Sequence, residues 1–185
     1  MGSLSEFQKQ LVLGCVLGDG YMRKKTHAHL QITHSFKQKD YVDWKYLNFK
    51  NLVISPPKSY KGNGNRVGYR FFTKSLPELT SIYMKFYSDG SKAVPKDIIL
   101  KPVSLAVWYM DDGSKSYKSC YFNTQEFDLK SQKYLIKALA RLKIKARLNK
   151  DKQYFRIRVL TSSTPHLMNI IRPYVVKSMR YKIPV

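Results

Sequence analysis

The stretch Leu11-Val12-Leu13-Gly14-Cys15-Val16-Leu17-Gly18-Asp19-Gly20 is apolar or small until it ends on Asp-Gly. Leu105-Ala106-Val107-Trp108-Tyr109-Met110-Asp111-Asp112-Gly113 ends the same way, 93 positions later. The echo continues downstream. Thr33-His34-Ser35-Phe36 is matched by Thr124-Gln125-Glu126-Phe127, and Lys92-Ala93-Val94-Pro95 by Lys182-Ile183-Pro184. Thr73, Pro77, Leu79, Ile82, Tyr83 and Phe86 return as Thr161, Pro165, Leu167, Ile170, Ile171 and Tyr174, all offset by 88. A drifting offset is what small loop deletions produce, so the chain is a tandem duplication with halves at 1–101 and 102–185.

Each half reads in the same order. Ser3 and Glu6 form a candidate capping box before a helix that runs to about Leu17, and Gly20 and Gly113 are expected helix stops. Two short strands follow, near 20–25 and 29–35. A second helix, near 38–52, puts Val42, Tyr46, Phe49 and Val53 on one face. Gly62-Asn63-Gly64-Asn65 is a turn between two more strands, and Leu79, Ile82, Tyr83 and Phe86 have helical spacing. The second half copies this, with Leu135, Ala138, Leu139 and Leu142 on its middle helix and Ile98–Pro102 as the linker. The expected fold is α+β, each half αββαββα. The two Asp-Gly helices are apolar on nearly all sides and need burial on all sides. Packing them against each other at the centre of a pseudo-twofold satisfies both.

Composition narrows the partner. Across 185 residues, 34 Lys and Arg face 12 Asp and Glu, a formal charge of +22, with 43% hydrophobic and 25% charged residues. Those fractions describe a folded protein, not a basic disordered tail. The apolar run Leu11–Gly18 is far short of the roughly 20 residues a membrane span needs, so no membrane partner is expected. The polar first ten residues give no expectation of a secretory signal. Two cysteines, Cys15 and Cys120, make neither a disulfide framework nor a metal cluster, which fits a reducing, intracellular compartment. A folded chain this basic meets a polyanion, with nucleic acid the first candidate.

One Asp-Gly alone is an ordinary turn. Two at corresponding positions, each ending a buried helix, bring Asp19 and Asp112 to one end of the central pair. A carboxylate at a helix C-terminus is locally unfavourable, and two together repel. Divalent cations offset this. Mg²⁺ in particular accepts few carboxylates plus water and phosphate oxygens, and such ions activate water for phosphodiester cleavage.

These two segments resemble the paired signature of the LAGLIDADG homing endonucleases, in the single-chain form that carries both repeats. The second copy, Ser104–Gly113, is similar to the intron-encoded yeast mitochondrial type. Gly14 and Gly18 supply the small residues of the helix seam in the first copy, whereas Val107 and Asp111 take their places in the second. The resemblance implies a monomer that cuts both strands of a double-stranded DNA target to leave 3′ overhangs. Asp19 and Asp112 would share two or three Mg²⁺, with Mn²⁺ or Ca²⁺ able to substitute in binding. Lys92 and Lys182 form a matched pair expected near the reacting phosphates. His34 and Gln125 stand where family members order water, and Asp111 is an expected helix cap or outer contact of the site.

Each hairpin pair would form a curved antiparallel sheet with an open face for the major groove. Counting in twos from Asp19 gives Tyr21, Arg23, Lys25, His29 and Gln31, with Arg66 and Arg70 from the second hairpin. The second half offers Ser114, Ser116, Lys118, Tyr121, Asn123, Lys145, Arg147, Arg156 and Arg158. Arg, Lys and Gln read G and A edges, while many lysines serve phosphates only. Because the halves differ, the target should be long and asymmetric. Two other readings stay open: an RNA-splicing maturase or catalytically silent relative, with intron RNA as partner, and an unrelated basic RNA-binding protein. The Lys- and Tyr-rich composition hints at an organellar gene, mitochondrial or chloroplast.

Overall fold

The computed structural model describes residues 3–62, 64–87 and 90–184. In the first half α1 (Glu6–Leu17) leads to strands β1 (Tyr21–Lys24) and β2 (Ala28–Ser35), then to α2 (Lys39–Phe49). Strands β3 (Lys58–Lys61) and β4 (Val67–Phe72) and helix α3 (Pro77–Phe86) complete it. The second half repeats the order as α4 (Pro102–Asp112), β5 (Gly113–Ser116), β6 (Ser119–Phe122), α5 (Leu129–Arg141), β7 (Ala146–Asp151), β8 (Tyr154–Val159) and α6 (Thr164–Ile171). Both sheets are antiparallel and share one strand order, β1-β2-β4-β3 and β5-β6-β8-β7. No described helix is long and apolar enough to cross a membrane.

Several boundaries differ from the sequence expectation. The capping box of α1 is Ser5 with Gln8, not Ser3 with Glu6. Gln8 is better placed because its amide also donates to Asn48 O at 2.9 Å and Asn51 Oδ1 at 2.8 Å, tying α1 to the end of α2. Gly18, not Gly20, caps α1, while Gly113 caps α4 as expected. Gly20 and Gly113 are required by closeness and not by a left-handed φ. A Cβ on Gly20 would lie 2.6 Å from Cys15 O, and one on Gly113 would strike Tyr109 O. Pro102 is the first residue of α4 and not the end of a linker, and Ser104 Oγ accepts the Lys101 N–H there at 2.9 Å. In the 62–65 turn, Asn63 lies outside the described residues; Gly62 N–H donates to Arg66 O at 2.7 Å.

The departure from small residues in the second helix has a structural answer. A Cβ on Gly14 would lie 2.6 Å from Ser104 O and 2.7 Å from Val107 Cβ, and one on Gly18 would collide with Asp111 Cβ. The seam is therefore knobs into glycine holes: Val107 and Asp111 of α4 fill the space left by Gly14 and Gly18 of α1. Close approach needs small residues on one helix only. Around this seam the core is contiguous. Leu11, Val12, Val16, Leu105, Ala106 and Trp108 are fully buried, as are the inward sheet residues Leu30, Ile32, Phe122, Ile157 and Val159. Of the middle-helix face, Val42, Phe49, Leu135, Ala138 and Leu139 are buried.

Candidate active site at the ends of the paired helices

The seam brings Asp19, just past the cap of α1, and Asp112, the last residue of α4, to the same cleft. Its volume is about 540 Å³, and Gly18, Gly20, Tyr21, Tyr87, Lys92, Asn123, Gln125 and Glu126 line the rest. Asp19 also opens onto a larger groove over the first sheet, with Thr33, His34, Tyr60 and Arg66 in its walls. Burial, then the charges of Asp19, Asp111 and Glu126, push the Asp112 carboxyl up to about 8, with Lys92 opposing. Burial and Asp111 likewise raise Asp19, with Lys45 and Lys182 opposing. Both carboxyls are thus held in a site that disfavours their charge, as helix C-termini and like neighbours dictate.

Lys92 and Lys182 occupy matched positions. Lys92 Nζ donates to Gly18 O at 3.4 Å and to Glu126 Oε1 at 2.8 Å; Lys182 Nζ donates to Asp111 O at 2.6 Å. Each ammonium therefore sits on the carbonyl that precedes its own half's helix-end aspartate, where a cation is favoured. Burial holds the Lys182 amine below its usual range.

His34 is buried at 7% exposure and neutral, its pKa pushed down to about 4 by burial and by the Lys45 ammonium. Lys45 Nζ lies 3.1 Å from His34 Nε2. An ammonium only donates, so Nε2 accepts and the ring proton sits on Nδ1, which faces Asp19 Oδ2 at 3.5 Å. The Gln125 amide donates to Asp151 Oδ2 at 2.8 Å, and the residue lines the cleft.

Sequence reasoning missed Lys45 and Tyr41. Lys45 is fully buried, donates to both Asp111 oxygens at 2.8 and 3.0 Å, and lies over the Tyr41 ring at 4.2 Å. Tyr41 OH adds a third bond to Asp111 Oδ1 at 2.8 Å. The signal was available, since Lys45 is three residues after Val42 and four before Phe49, on the apolar face of α2. Asp19, His34 and Asp111 have donor atoms within 4.8 Å of one another, a spacing that admits a metal ion. Asp111 and His34 Nε2, however, are already engaged by Lys45. That leaves Asp19 and Asp112 as the carboxylates open to a cation, water and phosphate oxygens, a donor set that suits Mg²⁺.

The open faces carry most of the expected DNA-binding residues. Tyr21 pairs with Gln31 and Arg23 with His29, and Arg70 lies opposite Thr33, all with outward parity. In the second sheet Ser114, Tyr121, Arg158 and Arg147 form one cross-strand row, Asn149 and Arg156 pair beside it, and Ser116 ends β5. Guanidinium groups rest on tyrosines in both sheets: Arg70 on Tyr60 at 4.3 Å and Arg156 on Tyr121 at 4.2 Å. Five expected strand residues are in loops instead. Lys25 and Lys118 sit in hairpin turns, Arg66 and Lys145 just before β4 and β7, and Asn123 just after β6. Tyr117, at φ 47°, turns the chain before Lys118 and breaks the period-two count. Tyr60 and Asn149 share the open faces and were not anticipated.

Two open basic sheets flanking a carboxylate pair at one helix seam define a two-fold nucleic-acid-processing architecture. The chain belongs to the LAGLIDADG DNA endonuclease family, whose model matches residues 9–167. It is 29% identical to the probable intron-encoded endonuclease 1 of Wickerhamomyces canadensis, over 98% of this chain and 85% of that protein. It is 30% identical to the cytochrome b mRNA maturase bI2 of Saccharomyces cerevisiae, over 99% of this chain and 48% of the maturase, so it spans about half that relative. Among solved structures, the homing endonuclease I-WcaI bound to its DNA recognition sequence superposes with a TM-score of 0.91 at 26% identity. That match covers 99% of this chain and 88% of the other.

Proposed function

We propose that the protein is a homing endonuclease, hydrolysing one phosphodiester on each strand of a long, asymmetric DNA target to leave 3′ overhangs. The observation that carries this is the pair of helix-end carboxylates, Asp19 and Asp112, raised and brought together in a cleft between two basic sheets. In this reading Asp19 and Asp112 hold Mg²⁺. The ion supplies charge neutralisation and a more acidic water.

The chain's own residues do the rest. Lys92 and Lys182 stabilise charge that develops on the phosphates. Neutral His34 and Gln125 order water beside the carboxylates. The halves 1–101 and 102–185 each take one half-site, through Tyr21, Arg23, His29, Gln31 and Arg70 on one side and Ser114, Tyr121, Arg147, Arg156 and Arg158 on the other. Lys25, Arg66, Lys118 and Lys145, on loops at the sheet edges, are better placed for phosphates than bases. Both carboxylates are in one chain, so a monomer suffices. The kinship with fungal intron-encoded proteins supports a mitochondrial location. The 30% identity to a cytochrome b mRNA maturase supports a second activity, assistance of intron RNA splicing, alongside cleavage.

Asp19→Asn and Asp112→Asn test the nuclease reading. Each is expected to abolish double-strand cleavage while leaving DNA affinity nearly intact in a gel-shift assay. Undiminished cutting by either variant would remove the catalytic assignment.

A further inference from the structure

Asp111 belongs to the second repeat, yet its carboxylate serves the first. Its side chain is fully buried and accepts from Lys45 Nζ on both oxygens, from Tyr41 OH, and from the Asp19 backbone N–H at 3.3 Å. Lys45 in turn fixes the His34 tautomer whose Nδ1–H faces the Asp19 carboxylate. Asp19 thus meets this network from two sides, its backbone N–H on Asp111 and its carboxylate 3.5 Å from His34 Nδ1, and both approaches lead back to one buried ammonium.

The other half lacks this device. The residue corresponding to Asp111 is Gly18, and the one corresponding to His34 is Gln125, which bonds to Asp151 instead. The buried face of α5 carries Leu135, Ala138 and Leu139, with no charge where α2 has Lys45. A buried ion pair is a weak source of net stability, and an apolar pair of the same volume commonly does as well. The pair's place in the seam therefore calls for another explanation.

We infer that Lys45 and Asp111 are positioning residues for Asp19, so that scission of one DNA strand depends on this buried pair more than scission of the other. This rests on the nuclease reading above.

The test is the double variant Lys45→Met/Asp111→Leu, which removes both charges and orphans neither. Three readouts are taken beside wild type: thermal melting, the amide ¹H–¹⁵N resonances of Asp19 and of Asn123, whose N–H donates to Asp112 O at 3.0 Å, and strand-resolved nicking of the end-labelled target in Mg²⁺. The expected result is near-normal melting and DNA binding, a shifted Asp19 amide with the Asn123 amide in place, and one strand nicked about tenfold or more slower, as loss of alignment produces. Equal slowing of both strands, or an unmoved Asp19 amide, overturns the inference. Should the double variant melt early, Lys45→Gln/Asp111→Asn, which keeps polar side chains of similar shape and again orphans no charge, carries the same test with a smaller strand bias expected. If wild type cuts no DNA, the nuclease reading fails, and the Asp19 amide still decides whether the pair positions that residue.

Discussion

Replacing Asp112 by Asn should make the metal-free protein more stable, and the gain should depend on pH. The carboxyl stands at about 8 against an ordinary 3.8 because it is buried beside Asp19, Asp111 and Glu126. At about 1.4 kcal/mol per unit of pKa, that displacement sets a ceiling of about 6 kcal/mol on the cost of ionising it in the fold. The cleft is open to solvent and the neighbouring charges are partly screened, so about 2 kcal/mol is the figure to expect. The sign follows from linkage. The folded pKa lies above the unfolded one, so the group's contribution is complete below about pH 4 and is lost as pH rises through about 8. Wild type should therefore lose melting temperature relative to Asp112→Asn between pH 5 and pH 8.5 in a chelator. For a chain of this length the gap at the upper end is roughly 4–8 °C. Differential scanning calorimetry in EDTA at the two pH values measures it. Adding Mg²⁺ should then raise wild type and leave the variant nearly unmoved. A variant no more stable than wild type at pH 8.5, or a gap that ignores pH, would refute the reasoning that this carboxylate is held against its charge for a cation.

Two further outcomes follow from the geometry. Gly18→Ala places a Cβ against Asp111, so the seam must open; a loss of about 2–3 kcal/mol is expected in urea denaturation, and an unaffected midpoint would contradict the glycine-hole packing. Lys92→Met and Lys182→Met should each slow cleavage by about 10–100-fold with little change in DNA affinity. Full rates in single-turnover assays of both variants would reduce the pair to surface charge.

What could be read from the sequence was what repeats. The duplicated Asp-Gly ends, the echo of Lys92 in Lys182 and the apolar spacing on each helix follow from periodicities that the fold must respect, and they led to the helix order and the cleft. Residues that act through tertiary contact were less visible. Ser5 caps α1 instead of Ser3 because Gln8 also reaches Asn48 and Asn51, partners 40 and more residues away. Lys118 left the strand because Tyr117 turns, and period-two counting does not sense where a hairpin closes. Lys45 lay in plain view on an apolar face, but a lysine in a chain with 34 basic residues draws no notice until its partner is known. That partner, Asp111, broke the small-residue pattern at its own position. Two local misfits in different halves proved to be one ion pair.

The most direct measurement is cleavage-site selection: wild type and Asp112→Asn are incubated in Mg²⁺ with a randomised or genomic DNA library, and the new ends are sequenced. The expected result is one long, only roughly palindromic site with 3′ overhangs from wild type and no enriched ends from the variant. Absence of any selected site with wild type, or the same cut site from both proteins, would contradict the account.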